Sequence, residues 1–178
     1  MESMRLAIAT LGLLATTAAA AQPPLPPVEV PVAADLRAEG RAAERSGRAL
    51  VLVFASEDCS YCMVLEEEIL KPMLRSGEYD HRIRMRKVML DAGESVVDFA
   101  GEEVETAALA DRYGVFVTPT VLFVDAEGTE LATRLVGINT VELYGGYMDA
   151  AIDQAVARIE ARARLARHAA DEPGTATD

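Results

Sequence analysis

The chain has 178 residues, 51% of them hydrophobic and only 5% aromatic, with a formal net charge of −12. That length suffices for one domain with its own core. So acidic a chain argues against nucleic acid or anionic membrane as a partner, and its two cysteines are too few for a disulfide scaffold.

In chain order, residues 1–21 read as an export signal. Arg5 precedes the apolar stretch Leu6–Leu14, and Ala18–Ala21 offers small residues for cleavage. The apolar stretch is shorter than the roughly 20 residues a membrane-spanning helix requires. Residues 22–32 are proline-rich and are expected to form an extended spacer rather than folded structure. A folded unit is expected over 33–164, and a frayed tail over 165–178. Within the unit, Ala33 to Gly47 is alanine- and charge-rich and reads as a helix closed by Gly47. Leu50–Phe54 is a continuous apolar run, the pattern of a strand buried on both faces. From Met63 onward Leu65, Ile69 and Met73 recur at helical spacing, with Pro72 as a kink or restart.

Ile83, Met85, Val88 and Leu90 mark a second strand, its intervening arginines suggesting a solvated end. Asp91–Glu103 shows no period and reads as an irregular insertion. Thr106–Tyr113 is a short helix with Gly114 as its C-cap. Val121–Val124, the turn Asp125–Gly128 and Leu131–Val136 form a hairpin. A last helix is expected from Asn139, capped by the Asn139/Glu142 spacing and weakened by Gly145-Gly146. Tyr144, Met148, Ile152, Val156 and Ile159 form its apolar stripe. The order predicts an α/β fold, a central mixed sheet flanked by helices.

The chemistry concentrates at Cys59-Ser60-Tyr61-Cys62, between the first strand and the second helix. Ser56, Glu57 and Asp58 supply capping side chains just before it. A cysteine at the first helical position faces free N–H groups and the positive end of the macrodipole, which favour its thiolate. Cys59 is therefore the expected nucleophile. Cys62, one turn on, can reach a mixed disulfide on Cys59 and release the partner. A static disulfide is the bland alternative. Zinc lacks ligands, since only His81 and His168 exist beyond the pair, and haem attachment fails because residue 63 is methionine. Cys59, Cys62 and Met63 would suit Cu(I), which keeps a copper-binding chaperone as a second class. Tyr61 could contact partners or pack against the neighbouring loop.

This arrangement resembles the thioredoxin superfamily. The resemblance rests on Cys59-Ser60-Tyr61-Cys62 after a buried strand, on Ala110–Val115 followed by Thr118-Pro119-Thr120, and on Glu127-Gly128 in the hairpin. It implies a cis bond before Pro119, with that proline lying against the disulfide. It also implies that Thr118 offers backbone hydrogen bonds to a bound peptide, with Ser60, Tyr61 and Asp58 supporting the site. With the export signal and Glu68–Met73, the chain looks most like periplasmic SoxW-like thioredoxins. That likeness implies a periplasmic monomer without organic cofactor, the Cys59–Cys62 dithiol carrying the electrons. It would be recharged by a membrane thiol transporter of the DsbD or CcdA type. Its clients would be periplasmic proteins with disulfides, in sulfur oxidation, cytochrome c maturation or general thiol maintenance.

Two departures bear on redox direction. Asp58 stands where many thioredoxins have tryptophan, and Val53 stands at their buried aspartate. Proton transfer would then use water or another carboxylate, such as Glu57 or Asp58. A carboxylate about 6 Å from a thiolate, at an effective dielectric near 40, opposes it by roughly 1.4 kcal/mol, about one pKa unit. That offsets the helix-terminus benefit. The expected direction is reducing, with a protein-disulfide oxidant as the alternative.

Overall fold

The computed structural model describes residues 27–171. The expected signal (1–21), the first part of the spacer (22–26) and residues 172–178 lie outside them.

The fold grows around β1 (Ala49–Ala55), whose seven residues are all buried. It sits centrally in a four-stranded sheet, order β2-β1-β5-β6. β2 (Ile83–Met89) runs parallel to it, Ala49 opposite Ile83. β5 (Thr120–Val124) runs antiparallel, Phe54 opposite Thr120. Alternation along β1 divides the core in two. Ala49, Val51 and Val53 face Leu65, Leu70, Met148 and Ile152. Leu50, Leu52 and Phe54 face Leu36, Ala43, Leu109 and Ala110. Each such large apolar side chain, fully buried, contributes about 1.5–3 kcal/mol before the entropy of ordering. These contacts, not propensity, explain why an unbroken apolar run becomes a central strand.

Helix α1 (Leu36–Arg45) starts at Asp35, whose side chain accepts from the Ala38 N–H at 2.8 Å. Gly47, at φ 64°, lets the chain leave it for β1. α2 (Ser60–Leu65), a π-helical turn (Glu66–Leu70) and α3 (Lys71–Ser76) run on continuously. The π turn ends just before Pro72, whose ring cannot donate to the helical ladder, so Pro72 is absorbed without a break. α4 (Thr106–Tyr113) closes on Gly114 at φ 63°.

Several expectations are corrected. The last residues of the proline-rich segment are not a free spacer. Val30 is buried, Val32 bridges Lys87 in parallel, and the Lys87 N–H donates to the Pro31 carbonyl at 2.8 Å. Lacking an N–H, proline is tolerated at such an edge. The arginines of β2 are not solvated: Arg84 and Arg86 bond Glu39 of α1 at 2.7 and 2.8 Å. Burial raises the Glu39 pKa, but hydrogen bonds from Arg84 and Arg86 outweigh it and hold the carboxyl below its ordinary value.

The segment Asp91–Glu103 is not irregular throughout. It holds β3 (Ser95–Val97) and reaches β4 (Glu103–Glu105), an antiparallel ribbon. Asp98 makes its turn, accepting from the N–H groups of Gly101 and Glu102 at 2.9 and 3.0 Å and from Arg112 at 2.6 Å. The second hairpin arm shrinks to β6 (Leu135–Val136), with Glu130 bridging Val124. Helix α5 starts at Val141, not Asn139, and runs through Gly145-Gly146 to Asp171, past the expected boundary at 164. Burial of Tyr144 and Met148 on either side of the glycine pair offsets its cost of about 1 kcal/mol per glycine. Among the described residues, no helix is long and apolar enough to cross a membrane.

Candidate active site

Cys59 and Cys62 meet where β1 delivers the chain to α2, and they are joined by a disulfide with Cα atoms 5.2 Å apart. Cys59 is not the first helical residue. It is the N-cap, with extended backbone, and its own sulfur accepts the Cys62 N–H at 3.1 Å. Its carbonyl takes the N–H groups of Cys62 and Met63 at 3.0 and 3.2 Å. The expected caps Ser56, Glu57 and Asp58 do not fill that place, because the turn Ser56–Cys59 puts the sulfur there instead. The arrangement still directs a helix-end N–H at Cys59 and none at Cys62, so the two sulfurs differ electrostatically. They differ in access too: Cys59 is half-buried, whereas Cys62 is 8% exposed.

Ser60 and Asp58 are exposed beside the pair. Tyr61 is 61% exposed, so of its two readings the structure favours an outward-facing ring over packing on a loop. Thr118 and Pro119 come from the other side of the site. Their peptide bond is cis, and Pro119 is buried at the start of β5. Thr118 Oγ1 lies 3.4 Å from Ser56 Oγ, which ties this loop to the one before Cys59. The Pro119 carbonyl accepts the Gly137 N–H at 2.8 Å, which adds the loop after β6. Val53 is buried among apolar neighbours, so no carboxylate stands there.

Reading the sequence missed part of the surroundings. Asp91, at the end of β2, receives the Glu57 N–H at 3.0 and 3.3 Å, placing a third carboxylate beside Glu57 and Asp58. Phe116 and Val117 in the loop before Pro119, Met63 in α2 and Val136 in β6 are exposed, Phe116 by 83%. An apolar residue between Gly114 and Pro119 was the one available signal, and nothing in it distinguishes burial from exposure. Among the described residues, neither cysteine lines the cleft at Asp125 and Arg162, at Tyr144 and Tyr147, at Tyr79 and Arg82, or at Arg37 and Phe99, and no three His, Cys, Asp or Glu side chains converge as a metal site.

A thioredoxin-like domain model matches residues 36–152, most of the chain. The chain belongs to the thioredoxin-like family. With its Cys59–Cys62 disulfide it is a thioredoxin-like thiol–disulfide oxidoreductase. It is 28% identical over 118 residues to the thiol:disulfide interchange protein DsbD of Ralstonia nicotianae, an alignment covering 66% of this chain. The chain spans only 18% of that relative's length. Among solved structures, it is similar to a DsbH oxidoreductase with TM-score 0.52, at 18% identity, covering 78% of this chain and 95% of that one. The oxidised mitochondrial thioredoxin 3 of Saccharomyces cerevisiae matches at 19% identity and TM-score 0.46, over 67% of this chain and 94% of that one. Likeness at such identities concerns the fold alone.

Proposed function

We propose that the protein is an exported, periplasmic reductant of protein disulfides, of the SoxW-like kind. The observation that carries this reading is the asymmetric pair: a half-buried Cys59 at a helix N-cap and a buried Cys62 one turn on. Reduced Cys59, as thiolate, attacks one sulfur of a client disulfide. The bond Cys59–S(client) forms, the client S–S bond breaks, and the second client sulfur leaves as thiolate and takes a proton. Cys62 then loses its proton to water or a nearby carboxylate and attacks the Cys59 sulfur. The Cys59–Cys62 bond forms and the first client sulfur departs as a thiolate that water protonates. Two electrons and two protons have moved from this chain to the client, leaving the disulfide form seen in the structure.

Return to the dithiol needs a dithiol donor. The match to part of DsbD supports a membrane thiol transporter of the DsbD or CcdA type in that role. Buried Pro119 and half-buried Thr118 suit the task of aligning a client strand beside the sulfurs. The carboxylates of Glu57, Asp58 and Asp91 oppose a strongly acidic Cys59 thiol, which supports the reducing direction.

Two measurements test this. A Cys62→Ser variant should accumulate clients as mixed disulfides on Cys59, because resolution is lost. A folded variant that traps nothing in periplasm would overturn exchange with proteins. Equilibration with glutathione should give a potential near the roughly −270 mV of thioredoxins, and a value near −120 mV would make the protein an oxidant instead.

A further inference from the structure

Resting on the oxidoreductase reading, we propose that the surface around Cys59 selects protein disulfides flanked by lysine or arginine beside an apolar residue. Three stretches are joined beside the disulfide: Ser56–Met63, which includes the first turn of α2, the loop from Gly114 to Pro119, and that from Leu135 to Thr140, which includes β6. The Ser56···Thr118 contact and the Gly137–Pro119 hydrogen bond join them. Their exposed side chains include Tyr61, Met63, Phe116, Val117 and Val136, five of the nine large hydrophobic side chains exposed among the described residues. So concentrated an apolar exposure marks a contact surface.

The charges around it have one sign. The three stretches carry Glu57 and Asp58 and not one lysine or arginine. Asp91 adds a further carboxylate from the end of β2, fixed by the Glu57 N–H. Four basic side chains on the neighbouring elements are engaged elsewhere. Lys71 is buried against Glu67 at 2.7 Å, Lys87 bonds Glu66 at 2.7 Å, Arg112 bonds Asp98 at 2.6 Å, and Arg134 bonds Glu130. A client therefore meets an apolar rim bordered by uncompensated anions, on a chain of net charge −12. Such a field attracts a cationic partner and repels an anionic one, and it acts mainly on encounter.

The test uses the reduced full chain and three peptides that share one internal disulfide and one apolar neighbour. The disulfide is flanked by lysine in the first, glutamate in the second and glutamine in the third. Hydroxyethyl disulfide serves as a small neutral control. At low ionic strength the lysine peptide should exceed the glutamate peptide by about tenfold in kcat/KM. At about 1 M salt, where the Debye length is about 3 Å, the ratio should fall toward one. In Glu57→Gln/Asp58→Asn protein that ratio should also approach one, whatever becomes of the absolute rates. Equal rates for the three peptides at low salt, with the control still reduced, would overturn the charge inference and leave the oxidoreductase reading standing. So would a glutamine peptide faster than both charged forms. Failure to reduce even the control would overturn both.

Discussion

The two ends of the sheet are built on opposite terms. At the end away from the disulfide, the turn after β5 is closed around Asp125. Its Oδ1 accepts the Glu127 and Thr129 N–H groups at 3.1 and 2.7 Å, and its Oδ2 accepts from Arg162 at 2.6 Å. Tyr113 bonds the Gly128 carbonyl at 2.8 Å, where any Cβ on Gly128 would collide with the tyrosine oxygen. Polar groups there are satisfied within the chain. At the disulfide end, large apolar side chains are left in water and carboxylates lack basic partners. One end commits its side chains to the fold, and the other leaves apolar and acidic side chains open to solvent, as the proposed contact surface requires.

That contrast can be broken by substitution. Asp125→Ala should be the most damaging to stability, by about 1–3 kcal/mol, because two N–H groups and Arg162 lose one shared acceptor. Its rate of hydroxyethyl disulfide reduction should hold. Denaturant midpoints together with that assay check both halves, and an unchanged midpoint would deny the turn its structural role. Acidification comes next. Asp98 is held below its ordinary pKa, first by the Glu102 N–H and then by Arg112, and Glu39 and Glu66 are lowered as well. Groups with folded pKa values below their unfolded ones bind fewer protons when folded. Their stabilisation is full above the unfolded values and is lost as pH falls through the folded ones. Stability should therefore drop as pH falls below about 4, and Asp98→Asn should flatten the slope in pH-dependent chemical denaturation. The smallest change in stability is expected for Phe116→Ser, within about 0.5 kcal/mol because the ring is already exposed. Its effect should appear instead as a raised KM for peptide disulfides and not for hydroxyethyl disulfide. A large loss of stability would move Phe116 from the contact surface to the fold.

Much of this was legible in local pattern. Leu50–Phe54 reads as a doubly buried strand because every residue is apolar, and β1 is buried at each of those positions. Thr106–Tyr113 with Gly114 appears as a helix with those bounds, since cap and period agree. Other features were not legible because they depend on partners distant in sequence. Val32 turns from spacer to an isolated bridge only against Lys87, and Ser95–Val97 becomes a strand only against Glu103–Glu105. Asn139 reads as a cap, but the helix takes its first turn from Val141.

By itself the sequence determined the reactive pair: two cysteines three apart, placed where a buried strand gives way to a helix. Spacing within one turn is a local property that folding elsewhere does not alter. Tertiary structure alone decided what surrounds the sulfurs. The sequence showed neither that Asp91 would border Glu57 nor that Phe116 and Val117 would face water beside the pair. Exposure and charge at the disulfide are sums over chain segments brought together by the core, and no single segment carries them.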